Sequence, residues 1–163
     1  MRWINIIIIA IAVWTLQLLL SDSLSISSVR PDFCAILILY WSLMYGRTFG
    51  ICSGFLFGLI IDLSVSGIFF GLSPLIYTIT GYLGGGLSMN STRLNPFYTS
   101  LTWIVILLFH FFVYCLIQYQ DLWEFNRKIF WGKWFGTAIY TISFAGVLQF
   151  VYPIKSILNA KSR

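Results

Sequence analysis

The feature that most constrains this chain is a succession of long apolar runs in which charged side chains are almost absent. Six runs can be marked, and they cover 3–20, 33–45, 49–63, 68–87, 97–119 and 129–152. A helix needs about 20 apolar residues to cross the hydrocarbon core of a bilayer. The sequence therefore predicts an all-α polytopic membrane protein, with six transmembrane helices in one integral domain over 1–163 and no extramembrane catalytic domain.

Composition excludes an ordinary soluble domain. Apolar residues make up 59% of the chain and charged residues 9%, against about 45–50% and about 25% in soluble domains. A water-soluble globule of this size lacks the polar surface to cover so much hydrocarbon. The formal net charge is +5, yet the basic residues are dispersed between the apolar runs, so we expect a lipid bilayer and no nucleic acid as partner.

The dispersed charges predict the orientation of the helices, because Lys and Arg concentrate in cytoplasmic connections. With the N-terminus inside, the cytoplasmic segments hold six basic residues and no acid: Arg2, Arg47, Arg93, Lys155, Lys161 and Arg163. The opposite side holds all five acids, together with Arg30, Arg127 and Lys128. We therefore expect both termini to be cytoplasmic.

The third run carries a glycine at every fourth position. Gly46, Gly50, Gly54 and Gly58 are followed at the same spacing by Asp62. Residues four apart lie on one face of a helix, and small residues let helices approach closely in lipid. We expect Gly50, Gly54 and Gly58 to pack against another helix. We favour a helix of the same chain over one of a partner, and the sequence leaves both open.

Two ionisable side chains lie within predicted spans at similar depth, Asp62 in the third and Lys133 in the sixth. A charge inside the bilayer is costly and usually has a partner. We hypothesise that Asp62 and Lys133 form a buried polar pair. The alternative is that the Lys133 side chain extends outward to the interface.

No residue pattern points to a catalytic, cofactor or metal site. Cys34, Cys52 and Cys115 are widely spaced, unlike metal ligands or a disulfide framework. His110 is the only histidine, and we expect it to form an interhelical hydrogen bond rather than a proton relay. A serine hydrolase using Ser73 and His110 is the one enzyme considered, but leucine stands where the G-x-S-x-G pattern needs its second glycine. We expect a protein without enzymatic activity or cofactor.

Several short motifs in the first half resemble one family. They are Val29-Arg30-Pro31-Asp32-Phe33, the pair Tyr40-Trp41, the G-x-x-x-G-x-x-x-D run that ends at Asp62, and the later Gly67 and Gly71. These motifs, concentrated in residues 29–83, resemble the rod shape-determining membrane protein family MreD.

Physical chemistry gives an expectation for the motif positions. Pro31 suits the first turn of a helix, where its missing N–H is not needed, and Asp32 favours the positive end of the helix dipole. Tyr40 and Trp41 come late in a helix that runs inward, so we expect their rings near the cytoplasmic interface. None of these positions supplies a nucleophile or a base.

The resemblance implies a non-enzymatic scaffold of the cell-elongation machinery in the bacterial inner membrane. Proteins of that family act with MreC, with the MreB filament on the cytoplasmic side, and with the glycosyltransferase and transpeptidase of peptidoglycan synthesis. The candidate contact surfaces are the glycine stripe and the segment Leu122-Trp123-Phe125, which we expect to rest at the outer interface.

The family fold is also similar to the six-helix substrate-binding subunits of energy-coupling-factor vitamin transporters, which makes a small-molecule binding subunit the alternative function. Such subunits commonly dock through an A-x-x-x-A stripe on the first helix. Here Ala10 is followed by Trp14, and Ala12 by Leu16. The predicted outer connections also carry few polar groups to hold a ligand. The sequence therefore favours the scaffold.

Overall fold

The computed structural model describes residues 2–23, 29–64, 69–89 and 96–151, and within these ranges the chain forms seven α-helices and no strand. The helices are α1 (Arg2–Ser23), α2 (Phe33–Tyr45), α3 (Arg47–Ser64), α4 (Leu72–Met89), α5 (Pro96–Gln118), α6 (Gln120–Phe125) and α7 (Arg127–Val151). Among the described residues, Arg47–Ser64 and Phe97–Gln118 are long and apolar enough to cross a membrane, and Ile4–Leu19 and Phe33–Tyr45 are shorter apolar helices. The fold is all-helical, as predicted.

Helix α2 lies at the centre of the bundle. Nine of its 13 residues are buried, and it packs against α1, α3, α4 and α7. The core around it contains the largest fully buried side chains of α5 and α7, Trp103, Leu107 and Phe130. A 13-residue helix spans about 20 Å at 1.5 Å per residue. Because most of these residues are buried, neighbouring helices enclose α2 along most of its length.

This central position places Tyr40 and Trp41 against rings of neighbouring helices. The Trp41 ring is buried and its centroid lies 5.8 Å from that of Phe57. The Tyr40 ring stands edge-on to Trp103, with 4.7 Å between centroids. Both rings therefore contribute to packing inside the bundle, where α3 and α5 lie beside this end of α2. Their expected closeness to the cytoplasmic interface stays a prediction.

A tight turn joins α2 to α3, in the short gap between the second and third apolar runs. Gly46 connects the helices with a φ of 93°, a left-handed conformation that side chains disfavour. Its N–H donates to the Ser42 carbonyl at 3.0 Å. The turn reverses the chain, so that α3 runs back alongside α2.

The fourth helix begins later than the predicted run. The run was placed from residue 68, which lies outside the described residues, whereas α4 begins at Leu72. Phe69 and Phe70 form a bend and a turn, and Gly71 has a φ of 98°. Pro74 occupies the first turn of α4, where its missing N–H is tolerated. Apolar character alone does not distinguish a turn from the start of a helix.

The segment after α5, predicted as a connection, contains the short helix α6. The N–H groups of Leu122 and Trp123 both donate to the Tyr119 carbonyl, at 3.1 and 3.2 Å. The Trp123 ring then packs edge-on against Phe130 in the first turn of α7, with centroids 5.0 Å apart. This aromatic contact holds α6 against the start of α7.

The glycine stripe of α3 packs against α4 of the same chain. A Cβ added at Gly50 would lie 2.6 Å from the Gly81 carbonyl oxygen. At Gly54 it would collide with the Tyr77 carbonyl, and at Gly58 with the Pro74 backbone. The two backbones are therefore in contact over slightly more than two helical turns, and this face has no room for a partner helix.

Candidate functional site

A partly open cavity of about 350 Å³ lies at the end of the bundle where α2 begins. This volume falls within the range of about 300–1,000 Å³ typical of small-molecule sites. Polar and aromatic side chains from α1, α4, α5 and the segment before α2 line it, among them Gln17, Arg30, Asp32, Tyr77, His110 and Tyr114. We call it the Asp32 cavity.

Asp32 is the N-cap of α2 and connects three helices. Its Oδ1 accepts a hydrogen bond from the Ala35 N–H at 2.9 Å, which caps the helix. Its Oδ2 accepts from the Tyr77 hydroxyl of α4. Its own N–H donates to Thr141 Oγ1 of α7 at 3.2 Å. Asp32 thus does more than favour the helix dipole, because it fixes α2 relative to α4 and α7.

Pro31 lies just outside the helix rather than in its first turn. Asp32 has an extended backbone, with φ −111° and ψ 92°, so the helix begins at Phe33. The Gln17 side chain of α1 holds this entry: its Nε2 donates to the Pro31 carbonyl at 3.0 Å, and its Oε1 accepts from the Phe33 N–H at 2.8 Å. One amide therefore satisfies two backbone groups at the start of α2.

His110 is 2% exposed and forms an interhelical hydrogen bond, in line with the expectation from sequence. Its Nδ1 lies 2.7 Å from Thr80 Oγ1. The Thr80 hydroxyl also lies 2.9 Å from the Ile76 carbonyl, so Thr80 has an acceptor in its own helix as well as the ring nitrogen of α5. The other ring nitrogen, Nε2, lies 3.6 Å from Asp32 Oδ2. The imidazole and the carboxylate therefore face each other across the cavity floor.

The structure does not bring Asp62 and Lys133 together. Asp62 Oδ2 accepts the Gly71 N–H at 2.6 Å, because the turn before α4 folds back over the end of α3. The Lys133 ammonium lies 4.2 Å from the centre of the Tyr119 ring, a distance that favours a cation–π interaction. Within the described residues, no ion pair joins the two side chains, and each has a different neighbour.

Ser73 lines the Asp32 cavity but is not hydrogen-bonded to His110, whose two ring nitrogens face Thr80 and Asp32. All three cysteines are free: Cys34 and Cys115 are buried and Cys52 is exposed. Over the described ranges, no three His, Cys, Asp or Glu side chains gather as metal ligands do.

The remaining predicted positions are distributed as follows. Trp123 is half-buried against α7, whereas Phe125 in the same segment is 86% exposed. Gly71 lies in the turn before α4, and Arg30 lines the cavity. Gly67 falls outside the described residues, as do Arg93, Lys155, Lys161 and Arg163.

Sequence reasoning named Asp32 and His110 separately but did not predict that they meet beside Tyr77. Gln17, Thr80 and Thr141 also contribute, and each lies within a predicted apolar run. The available signal was the presence of polar side chains inside predicted spans, because such groups normally face the bundle interior and find a partner there. Tyr77 and Thr80, three residues apart, share one face of α4.

The comparison with protein families covers both the cavity and the glycine interface. No curated protein and no solved structure matches the chain. The family model of the rod shape-determining protein MreD matches residues 1–155 of the 163-residue chain, and all seven helices end within that range. The chain therefore belongs to the MreD family of rod shape-determining membrane proteins.

Proposed function

We propose that this protein is a non-enzymatic adaptor of the cell-elongation machinery. It couples MreC and the glycosyltransferase and transpeptidase of peptidoglycan synthesis to the MreB filament on the cytoplasmic side. Membership of the rod shape-determining family carries the proposal. The structure supports it through a core that is tightly packed and outer helix faces that are apolar, a combination suited to holding other membrane proteins in a fixed arrangement.

The adaptor would cross the bacterial inner membrane six times, with α1 to α5 and α7 as spans and both termini cytoplasmic. The distribution of basic residues supports this orientation. In this arrangement α6 lies at the outer interface. Its exposed Asp121 and Glu124 would meet the polar headgroup region, while Phe125 would face the bilayer. The Asp32 cavity would open on the same side as α6.

We assign the outer contact with MreC to α6, since the glycine stripe is used within the chain. Phe125 is the most exposed side chain of this helix. The guanidinium of Arg127 lies 5.6 Å from the centre of the Trp123 ring, so the helix is held from its inner side and presents Phe125 outward.

Photo-crosslinking in living cells tests this assignment. A photoreactive residue at position 125 should give adducts with MreC. A photoreactive residue at position 132 serves as the matched control, because a Cβ added at Gly132 meets nothing within 4 Å and the variant should fold normally. Equal yields of the MreC adduct from both positions, or no adduct from position 125, would contradict a contact centred on α6.

The cavity favours one second candidate, the substrate-binding subunit of a small-molecule transporter. Its volume of about 350 Å³ and its polar floor are what such a subunit requires. Mass spectrometry of protein purified under mild conditions separates the two functions. A transporter subunit should carry a vitamin-like molecule at one per chain, whereas the adaptor should carry none.

A further inference from the structure

The floor of the Asp32 cavity presents a carboxylate that can accept further hydrogen bonds. A carboxylate offers about four lone-pair positions, and Asp32 uses two of them, for the Ala35 N–H and the Tyr77 hydroxyl. Its side chain is 14% exposed. The Nε2 of His110 lies 3.6 Å from Asp32 Oδ2. An ammonium group, with three donors and a positive charge, can bond to the remaining positions of this carboxylate.

The walls of the cavity suit an organic cation. Trp14, Tyr77, Phe111 and Tyr114 all contribute to the lining, and the faces of aromatic rings attract cations. The rings of Tyr77 and His110 are packed edge-on, with 5.0 Å between centroids. An ammonium group on a short carbon chain can place its charge at Asp32 and its apolar part against these rings.

Arg30 adds a site for an anion beside the site for the cation. It stands two residues before Asp32, belongs to the cavity lining and is exposed to solvent. A guanidinium can hold phosphate through two parallel hydrogen bonds. The carboxylate of Asp32 and the guanidinium of Arg30 therefore belong to the lining of one cavity. This combination matches a ligand that carries an ammonium and a phosphate a few bonds apart.

We infer that the Asp32 cavity binds the zwitterionic headgroup of a membrane lipid, with the ammonium at Asp32 and the phosphate at Arg30. The bilayer supplies such groups at high local concentration. The cavity lies where α2 and α4 begin and α3 ends, which is the level of the headgroups for helices that cross a membrane. A free amino phosphate has the same chemistry, and the experiment separates the two sources.

Native mass spectrometry of the full chain tests the site. Phosphatidylethanolamine carries both groups, whereas phosphatidylglycerol carries the phosphate alone. We expect the protein to retain phosphatidylethanolamine about tenfold or more tightly, as a charge-assisted hydrogen bond implies. The Asp32→Asn variant should lose this preference while still capping α2. Asp62→Asn, which alters a carboxylate outside the cavity lining, should keep it.

A second variant covers the case in which Asp32→Asn fails to fold. Arg30→Gln should weaken the binding of both phospholipids by a similar factor and leave the preference between them unchanged. Equal binding of the two lipids to the unaltered protein would overturn the inference, as would a preference that survives Asp32→Asn. Binding of soluble phosphoethanolamine as tightly as the lipid would assign the cavity to a free ligand instead. The assay contains no partner protein, so its outcome is independent of the adaptor function.

Discussion

The α3–α4 interface and the Asp32 cavity differ in how closely the helices pack around them. At the interface, Gly50, Gly54 and Gly58 bring two backbones into contact and leave no space. At the cavity, polar side chains from α1, α2, α4, α5 and α7 meet around a volume of about 350 Å³ that remains open. The interface stabilises the bundle through close packing. The cavity leaves open space beside polar groups, and close packing does not require either. The contrast separates structural residues from candidate binding residues.

The largest effect should come from filling the interface. Gly54→Val places a branched side chain against the Tyr77 carbonyl. Overpacking typically destabilises a protein by about 1–3 kcal/mol. We expect a loss of stability at the upper end of this range or above it, because the obstructing atoms belong to the backbone and cannot move aside as a side chain can. Thermal unfolding in detergent, followed by loss of monodisperse protein, measures it. Gly132→Ala is the control, since its Cβ would meet nothing within 4 Å. Unchanged stability of Gly54→Val would mean that the two helices do not touch there.

Removing the central carboxylate should have the next largest effect. Asp32→Ala deletes the cap of α2 and leaves the Tyr77 hydroxyl without its acceptor. We expect a loss of about 1–3 kcal/mol, whereas Asp32→Asn should lose less because it retains a cap and an acceptor. The same thermal assay compares the two. If both variants lost the same stability, the charge itself, rather than the hydrogen bonds, would hold this end of the bundle together.

Gln17→Leu should lower the free energy of unfolding by about 1–2 kcal/mol, because two backbone groups at the entry to α2 lose their hydrogen-bond partner. Hydrogen exchange should show faster exchange of the Phe33 N–H in this variant. Ser143→Ala provides the comparison, since that exposed hydroxyl bonds only to a carbonyl of its own helix. A neutral effect of Gln17→Leu would show that water replaces the amide at this position.

The smallest effect concerns Asp62 and Lys133. Asp62→Asn keeps an acceptor for the Gly71 N–H, and Lys133→Met removes only the ammonium beside the Tyr119 ring. The effects of the two substitutions on stability should add within about 0.5 kcal/mol, as they do for groups that share no contact. A larger coupling energy in the double variant would restore the direct pair that the sequence first indicated.

The difference between the interface and the cavity also explains which features can be predicted from the sequence alone and which cannot. The predicted run 33–45 coincides with α2, and the glycine stripe could be read from a fixed spacing of four. Both are local patterns. The Asp32 cavity is assembled from residues as far apart as Gln17 and Thr141, and no spacing encodes their meeting. For the same reason the partner of Asp62 was missed, because a backbone N–H leaves no mark in the sequence.

The start of α4 and the burial of Trp41 illustrate a second limit of prediction from sequence. Hydropathy identifies apolar residues but does not distinguish those that face lipid from those that face another helix. Phe69 and Phe70 are exposed in a turn, whereas Trp41 is buried among rings of α3. Deciding between these environments requires the arrangement of the neighbouring helices.

The most direct test of the adaptor function is the shape of cells depleted of this protein. Cell width and the pattern of new wall insertion should be followed while a plasmid copy is withdrawn. We predict that the depleted cells lose their rod shape and insert wall at dispersed sites, and that an unaltered copy restores both. Depleted cells that keep their width and their pattern of wall insertion would contradict it.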